Sequence, residues 1–325
     1  MAALICGSLA YDTIMVFDGR FRDLILSDRV HILNVAFLVP EMRREFGGCA
    51  GNIAYSLKLL GAEAYPMGTV GRDFGPYAEW LDRHGISRRF IKELPDTYTA
   101  QAYITTDLDN NQITSFHPGA MNHSHQNVVP QNAGITIGVV APDGRFGMIA
   151  HAEQFHAAGI PFLFDPGQGI PLFNGAELLD LIDKASWVAV NDYESQLLEE
   201  RTGLSLYDIA ARVEALIVTW GAKGSVIYTR GSRIDVPAVP APEIRDPTGC
   251  GDAYRAGLLY GIMHGYDWET TGNIAALLGA IKIGYHGTQN HRFTPQEFWA
   301  RYEQVFGSLP EVKAATDTGG IDVAE

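Results

Sequence analysis

Cysteine is scarce: Cys6, Cys49 and Cys250 are the only three in 325 residues, and no Cys-x-x-Cys pair occurs. That excludes a disulfide framework or a zinc ribbon and points to a reducing compartment. Positive charge is also in short supply, with 24 Lys and Arg against 38 Asp and Glu, a net charge of −14. A surface that acidic repels phosphate backbones and anionic headgroups, so neither nucleic acid nor a membrane is expected as a partner. No run of about 18 residues is apolar and uncharged, and the start Met-Ala-Ala-Leu-Ile-Cys-Gly has no basic segment ahead of a long apolar one. A cytoplasmic location is expected. Internal repeats, a Walker A loop and a Gly-x-Gly-x-x-Gly turn after the first apolar run are all missing, so the familiar nucleotide fingerprints do not apply.

Core-forming residues make up 46% of the chain and charged ones 19%, enough apolar surface to offset the entropy of ordering a compact fold. At roughly 150 residues per domain the length allows two domains or one large one. Residues 3–6 read as a buried strand closed by Gly7-Ser8, and Asp12 follows. Within 13–46 the stretch 29–37 alternates without flanking helices, which suggests a strand pair outside a main sheet. Residues 52–60 carry a helical pattern closed by Gly61, then 64–68 read as a strand and 77–84 as a helix. Residues 99–105 and 113–116 suit a hairpin around the polar turn 107–111, expected to pair with the first interruption.

From 135 the rhythm is regular. Strands at 135–140, 161–164, 187–190 and 216–219 alternate with helical stretches to 158, at 176–182 and at 193–200, the signature of a parallel sheet covered on both faces. An antiparallel pair, 225–228 and 233–236, precedes three helices at 252–264, 268–283 and 294–306. The expectation is one α/β domain over 1–310, with lid strands from about 13–46 and 97–118, and a frayed tail at 311–325. A lid over the carboxyl ends of parallel strands implies a small ligand shielded from water.

The sharpest chemical signal is Asp246-Pro247-Thr248-Gly249-Cys250-Gly251-Asp252-Ala253-Tyr254-Arg255-Ala256-Gly257. Gly249 and Gly251 leave backbone N–H groups uncovered where a helix begins, at the positive end of its dipole, and such a turn binds anions. Asp252 in the first helical turn should be favoured in its ionised form and can take a proton from a substrate hydroxyl. The helix start should likewise lower the Cys250 pKa, although the residue reads better as packing than as a nucleophile. Arg255, one turn on, reaches either a transferred phosphate or a surface carboxylate. Read alone, the segment is equally a turn and helix cap.

Gly47-Gly48-Cys49-Ala50-Gly51-Asn52 opens a helix so that a polyhydroxylated ligand can approach closely; the plainer reading is a turn with an Asn cap. Asn191 and Glu194, three apart after a strand, could orient hydrated magnesium or simply cap a helix. Thr219-Trp220-Gly221-Ala222-Lys223-Gly224 lets a nucleotide lie against backbone or merely enters a hairpin. His117, His123 and His125 sit in a polar loop without zinc-site spacing.

Together these motifs resemble the ribokinase-like (PfkB) sugar and nucleoside kinases from Gly7 to about Phe306, and the run Ser115–Met121, Asp165-Pro166 with Gln168, and 191–194 resemble the bacterial adenosine kinases among them. The resemblance implies a three-layer α/β sandwich with a mainly parallel sheet and a small β lid. It implies ATP and Mg²⁺ as cofactors and transfer of phosphate to the 5′-hydroxyl of a nucleoside, adenosine giving AMP. By position, Ser8, Asp12, Gly48 and Asn52 would hold the ribose, Phe116 would wall the base and Gln168 would line the same pocket. Asn191, Thr219, Gly221, Gly224 and Thr248 would border ATP, with Glu194 reaching Mg²⁺ through water. Gly249, Cys250 and Gly251 would form the anion hole and Asp252 the base, with a monovalent cation, K⁺, near Asp246. Ala102 and Ala36 depart from larger or hydroxyl residues of relatives, so inosine, guanosine, cytidine or a sugar are alternative acceptors. A non-catalytic metabolite-binding protein is a further alternative. Exposed lid edges suggest a homodimer paired through the lid.

Overall fold

The computed structural model describes residues 1–25, 34–109 and 111–310. In chain order its elements are β1 (Ala2–Cys6), β2 (Ala10–Val16), α1 (Phe21–Leu24), β3 (Glu41–Gly47), α2 (Cys49–Leu59), β4 (Glu63–Gly71), α3 (Gly75–Arg83) and β5 (Phe90–Leu94). A hairpin, β6 (Ala100–Thr106) and β7 (Gln112–His117), precedes β8 (Ile135–Val140), α4 (Arg145–Ala157), β9 (Phe162–Phe164), α5 (Gly175–Lys184) and β10 (Trp187–Asn191). Next come α6 (Asp192–Thr202), α7 (Leu206–Ala210), β11 (Ala215–Thr219), β12 (Ser225–Thr229), β13 (Ser232–Val236), α8 (Cys250–Met263), α9 (Trp268–Lys282) and α10 (Pro295–Phe306).

The main sheet runs β13-β12-β11-β10-β9-β8-β1-β4-β5. Every pairing from β5 across to β11 is parallel, and β12 and β13 are added antiparallel. Its central strands are apolar because both faces are covered: in β1, Ala3 and Ile5 enter one core while Leu4 and Cys6 enter the other. β10 divides the same way, Ala189 to the first core and Val188 and Val190 to the second. The first core holds α2, α8, α9 and α10, the second α4 and α5. Several helix starts are held by capping boxes, Asn174 with Glu177, Asn191 with Glu194 and Thr294 with Glu297.

A separate sheet of order β3-β2-β6-β7 is built from the two interruptions, joined by parallel pairing of β2 with β6. The first strand of each interruption starts at Ala10 and Ala100 respectively. Of the alternating stretch 29–37, residues 29–33 lie outside the described part and 34–37 form no strand. The strands of that interruption flank it as β2 and β3. Edge strand β5 escaped the sequence pattern because half-exposed Phe90, Ile91 and Leu94 alternate with nothing regular around Lys92 and Glu93. The polar segment 119–126, read as a loop, is a 3₁₀ helix, and 311–325 lie outside the described residues.

Helices α8 and α9 touch at a glycine. A Cβ on Gly257 would stand 2.4 Å from the Ala275 Cα. Gly257→Ala gains about 1 kcal/mol of helix propensity but forces two backbones apart, and overpacking costs typically 1–3 kcal/mol. We therefore expect a lower melting temperature for Gly257→Ala, and none lost for Gly75→Ala, where the new methyl meets nothing within 4 Å.

Candidate active site

Four loops leave the carboxyl edge of the parallel strands on the same side: Gly7-Ser8 after β1, Asp165 after β9, Asn191 at the end of β10 and Thr219 at the end of β11. Ligands of open α/β sheets collect at this edge. Ser8 is buried, and its Oγ and main-chain oxygen accept the Cys49 and Ala50 amides at 3.2 and 3.0 Å. Those are first-turn amides of α2, so Ser8 caps that helix from a distance. Gly48 precedes it with φ +89°, and a Cβ there would stand 2.5 Å from the Ser8 oxygen. No residue with a side chain fits.

Asn52, in the second turn of α2, donates to Asp252 Oδ2 at 2.7 Å. Its own Oδ1 accepts from Gln289 at 3.0 Å, and Gln289 is fixed by Tyr77 and Trp80. Gln289 went unnoticed in the sequence, where Gly287-Thr288-Gln289-Asn290 carries no periodic or spacing signal.

At the start of α8, Gly249 takes a left-handed conformation, φ +77°, with Thr288 packed against it. Among the described residues the Gly251 and Asp252 amides donate to no protein acceptor, and no side chain caps the helix. The Cys250 amide, expected with Gly249 and Gly251 in an anion hole, donates to the Pro247 carbonyl at 3.1 Å. Thr248 and Gly251 are exposed. Burial pushes the Asp252 pKa up to about 6; the nearby Asp165 charge adds to this, against the Asn52 hydrogen bond and Arg255. The expected stabilisation of the ionised form at the helix start is thus outweighed, although Asp252 remains mainly carboxylate at neutral pH. Cys250 is corrected likewise, pushed up to about 11 by burial rather than lowered.

Arg255 faces neither phosphate nor surface. It forms a fully buried pair with Asp165, Nε to Oδ2 at 3.0 Å and Nη2 to Oδ1 at 3.3 Å, and its Nη2 lies 3.9 Å from Glu194. Asn191 and Glu194 hold each other in a reciprocal cap, both bonds 2.8 Å. That leaves Glu194 Oε1 as the oxygen able to receive a hydrated ion. Burial and Asp165 raise the Glu194 pKa. Among the described residues no group of three or more His, Cys, Asp or Glu side chains could hold a metal ion by itself; magnesium carried largely by phosphates and water fits a single carboxylate. Thr219 is half-buried beside Gly221, which has open space around it, and Gly224, whose φ of +91° and closeness to the Val236 oxygen require glycine. Gln168 lies exposed in the 3₁₀ turn Gly167–Leu172.

In the smaller sheet the register aligns Glu45, Asp12, Ala102 and Phe116 across its four strands. Paired residues share a face, so Asp12 and Phe116 flank the small Ala102. Phe116 is 47% exposed. Burial, with the charges of Glu45 and Asp246, pushes Asp12 up to about 6. Ala36 is exposed and lies in no strand.

Asp246 does not fit a resident monovalent cation. Its carboxylate accepts the Thr248 and Gly287 amides, both at 2.9 Å, and its main-chain oxygen accepts the Lys282 ammonium at 2.7 Å. Burial alone would raise Asp246, but those amides hold it below the usual carboxylate range.

Comparison with known proteins places this geometry. The pfkB family carbohydrate kinase model matches residues 12–295. A nucleoside kinase of Methanocaldococcus jannaschii is 33% identical over 273 residues, 83% of this chain and 90% of that protein. The structure of a Burkholderia thailandensis nucleoside kinase in complex with inosine superposes with a TM-score of 0.87 at 55% identity, covering 95% of this chain and 99% of that one. The same kinase in complex with ADP-inosine gives a TM-score of 0.86 at 54% identity, covering 98% and 100%. An uncapped, glycine-opened helix start beside a hydrogen-bonded carboxylate, on a fold shared along nearly the whole chain, leads to one conclusion: the chain belongs to the PfkB family of carbohydrate kinases, phosphotransferases that act on an alcohol group.

Proposed function

We propose that this kinase transfers the γ-phosphoryl group of ATP to the 5′-hydroxyl of a nucleoside, with adenosine and inosine both among its acceptors. The observation that carries the reading is the 2.7 Å contact between Asn52 and Asp252 at the free amides of α8. In it, Asp252 takes the proton of the 5′-hydroxyl as that oxygen forms a bond to the γ-phosphorus in line, while the bond from that phosphorus to the bridging oxygen breaks and ADP leaves with its electron pair. The Gly251 and Asp252 amides, with Gly249 shaping the turn, receive the charge on the migrating group. Glu194 would hold magnesium through water, and that ion would supply neutralisation of the phosphate charge. Thr219, Gly221, Gly224, Thr248 and Asn191 border the ATP side.

On the acceptor side, Asp12, Ser8, Gly48 and Asn52 receive the ribose, Gln168 lines the pocket and Phe116 walls the base. The gap left by Ala102 supports tolerance among bases, since stacking is indifferent to base identity. The inosine complex of the Burkholderia thailandensis kinase favours that breadth over strict adenosine specificity.

Two measurements test the reading. Initial rates with adenosine, inosine, guanosine, cytidine and ribose should rank the purine nucleosides above ribose; faster turnover of ribose would overturn it. Asp252→Asn should cost roughly 10²–10⁴ in kcat while calorimetric nucleoside binding is largely kept, whereas unchanged turnover would remove Asp252 as base.

The acid limb of kcat/KM reports the free enzyme's base. With Asp252 at about 6, activity should fall as pH drops through that value, because only the carboxylate accepts a proton. Asn52 favours the charged form, so Asn52→Ala should move that limb upward by about one pH unit. A limb that stays in place would show that another group titrates.

A further inference from the structure

Lys282 is the sole Asp, Glu, Lys or Arg between Glu269 and Arg292, set between Ile281 and Ile283. It is fully buried, at 0% exposure. A buried ammonium is costly unless its surroundings replace water. Here two main-chain carbonyls do so: Asp246 at 2.7 Å and Tyr285 at 3.4 Å. The two oxygens belong to different loops, the turn that leads into α8 and the exit of α9. The same junction is stitched by the Arg245 and Asp246 amides, both donating to the Ile283 carbonyl, and by the Gly287 amide on the Asp246 carboxylate.

Backbone carbonyls converging on one positive charge beside a carboxylate make the surroundings of a small cation. In this chain the charge arrives on a covalent tether. We propose that Lys282 is a built-in counter-cation: it holds the 246–251 turn in its anion-binding shape and supplies the positive charge there, so phosphoryl transfer by this enzyme needs no potassium. Lys282 is a positioning residue, acting through the Asp246 carbonyl rather than touching phosphate. The energetic logic favours the tether, because an ion must be gathered from solution whereas Lys282 is delivered by the folding of α9.

The test compares the wild-type enzyme in KCl and in choline chloride at equal ionic strength. Its rate with Mg-ATP and adenosine, and the melting temperature of the ligand-free protein, should be the same in both salts; activation or stabilisation by K⁺ over choline would overturn the proposal. Lys282→Ala opens the space in front of the two carbonyls. Its kcat should fall on the order of tenfold or more, with KM for adenosine little changed, and K⁺ or NH₄⁺, but not choline, should restore part of kcat and raise the melting temperature. A variant impaired equally in all salts would reduce Lys282 to packing and overturn the proposal. If that variant fails to fold, the wild-type comparison decides alone. The melting arm needs no nucleoside, so it stands whichever acceptor the enzyme prefers.

Discussion

One hydrogen bond joins two helix starts that are 200 residues apart in sequence, Asn52 on α2 to Asp252 on α8. Each helix begins at a glycine of positive φ, Gly48 and Gly249, where the missing side chain leaves the backbone uncovered. Everything around this contact serves to hold it. Ser8 caps α2 from the end of β1, Gln289 fixes the Asn52 amide, and Thr288 packs on Gly249 while its hydroxyl donates to the Phe46 carbonyl of the smaller sheet. The proposed base and the free amides of α8 are thus brought together by contacts within the protein itself.

The electrostatic layout is unusual for a site that receives a polyanion. Asp12, Asp165, Glu194, Asp246 and Asp252 all lie around it, and the two fixed cations nearby, Arg255 and Lys282, are buried in internal pairings. Both are held by neighbouring carboxylates and carbonyls, so direct contact with phosphate is left to oriented amides and whatever metal accompanies ATP. Burial raises the Asp252 pKa and the Asp165 charge adds to it, a poorly hydrated, acidic setting that suits the proposed role of proton acceptor at neutral pH.

Much of this was legible in the sequence where local chemistry and tertiary structure agree. The apolar runs ending at Cys6, Val190 and Thr219, the hairpin around 107–111 and the glycine-opened turn before Asp252 all mark themselves by composition. Less was legible where long-range packing decides. Edge strand β5 has no periodicity, Gln289 has no motif, and the partner of Arg255 lies 90 residues away at Asp165. The pKa directions of Asp252 and Cys250 were misjudged for one reason: a helix end visible in sequence suggests a dipole, while the loss of water around it depends on elements folded over from elsewhere. Lys282 did leave a trace, as the one Asp, Glu, Lys or Arg between Glu269 and Arg292.

The central claim is that Asp252 deprotonates an alcohol held against the amides of α8. It is tested most directly by a crystal structure of the enzyme with adenosine and ADP bound. The account predicts the 5′-oxygen within about 2.6–3.2 Å of an Asp252 carboxylate oxygen, with the ADP β-phosphate directed at the Gly251 amide. An acceptor hydroxyl bound away from Asp252, with the carboxylate turned toward protein, would contradict it.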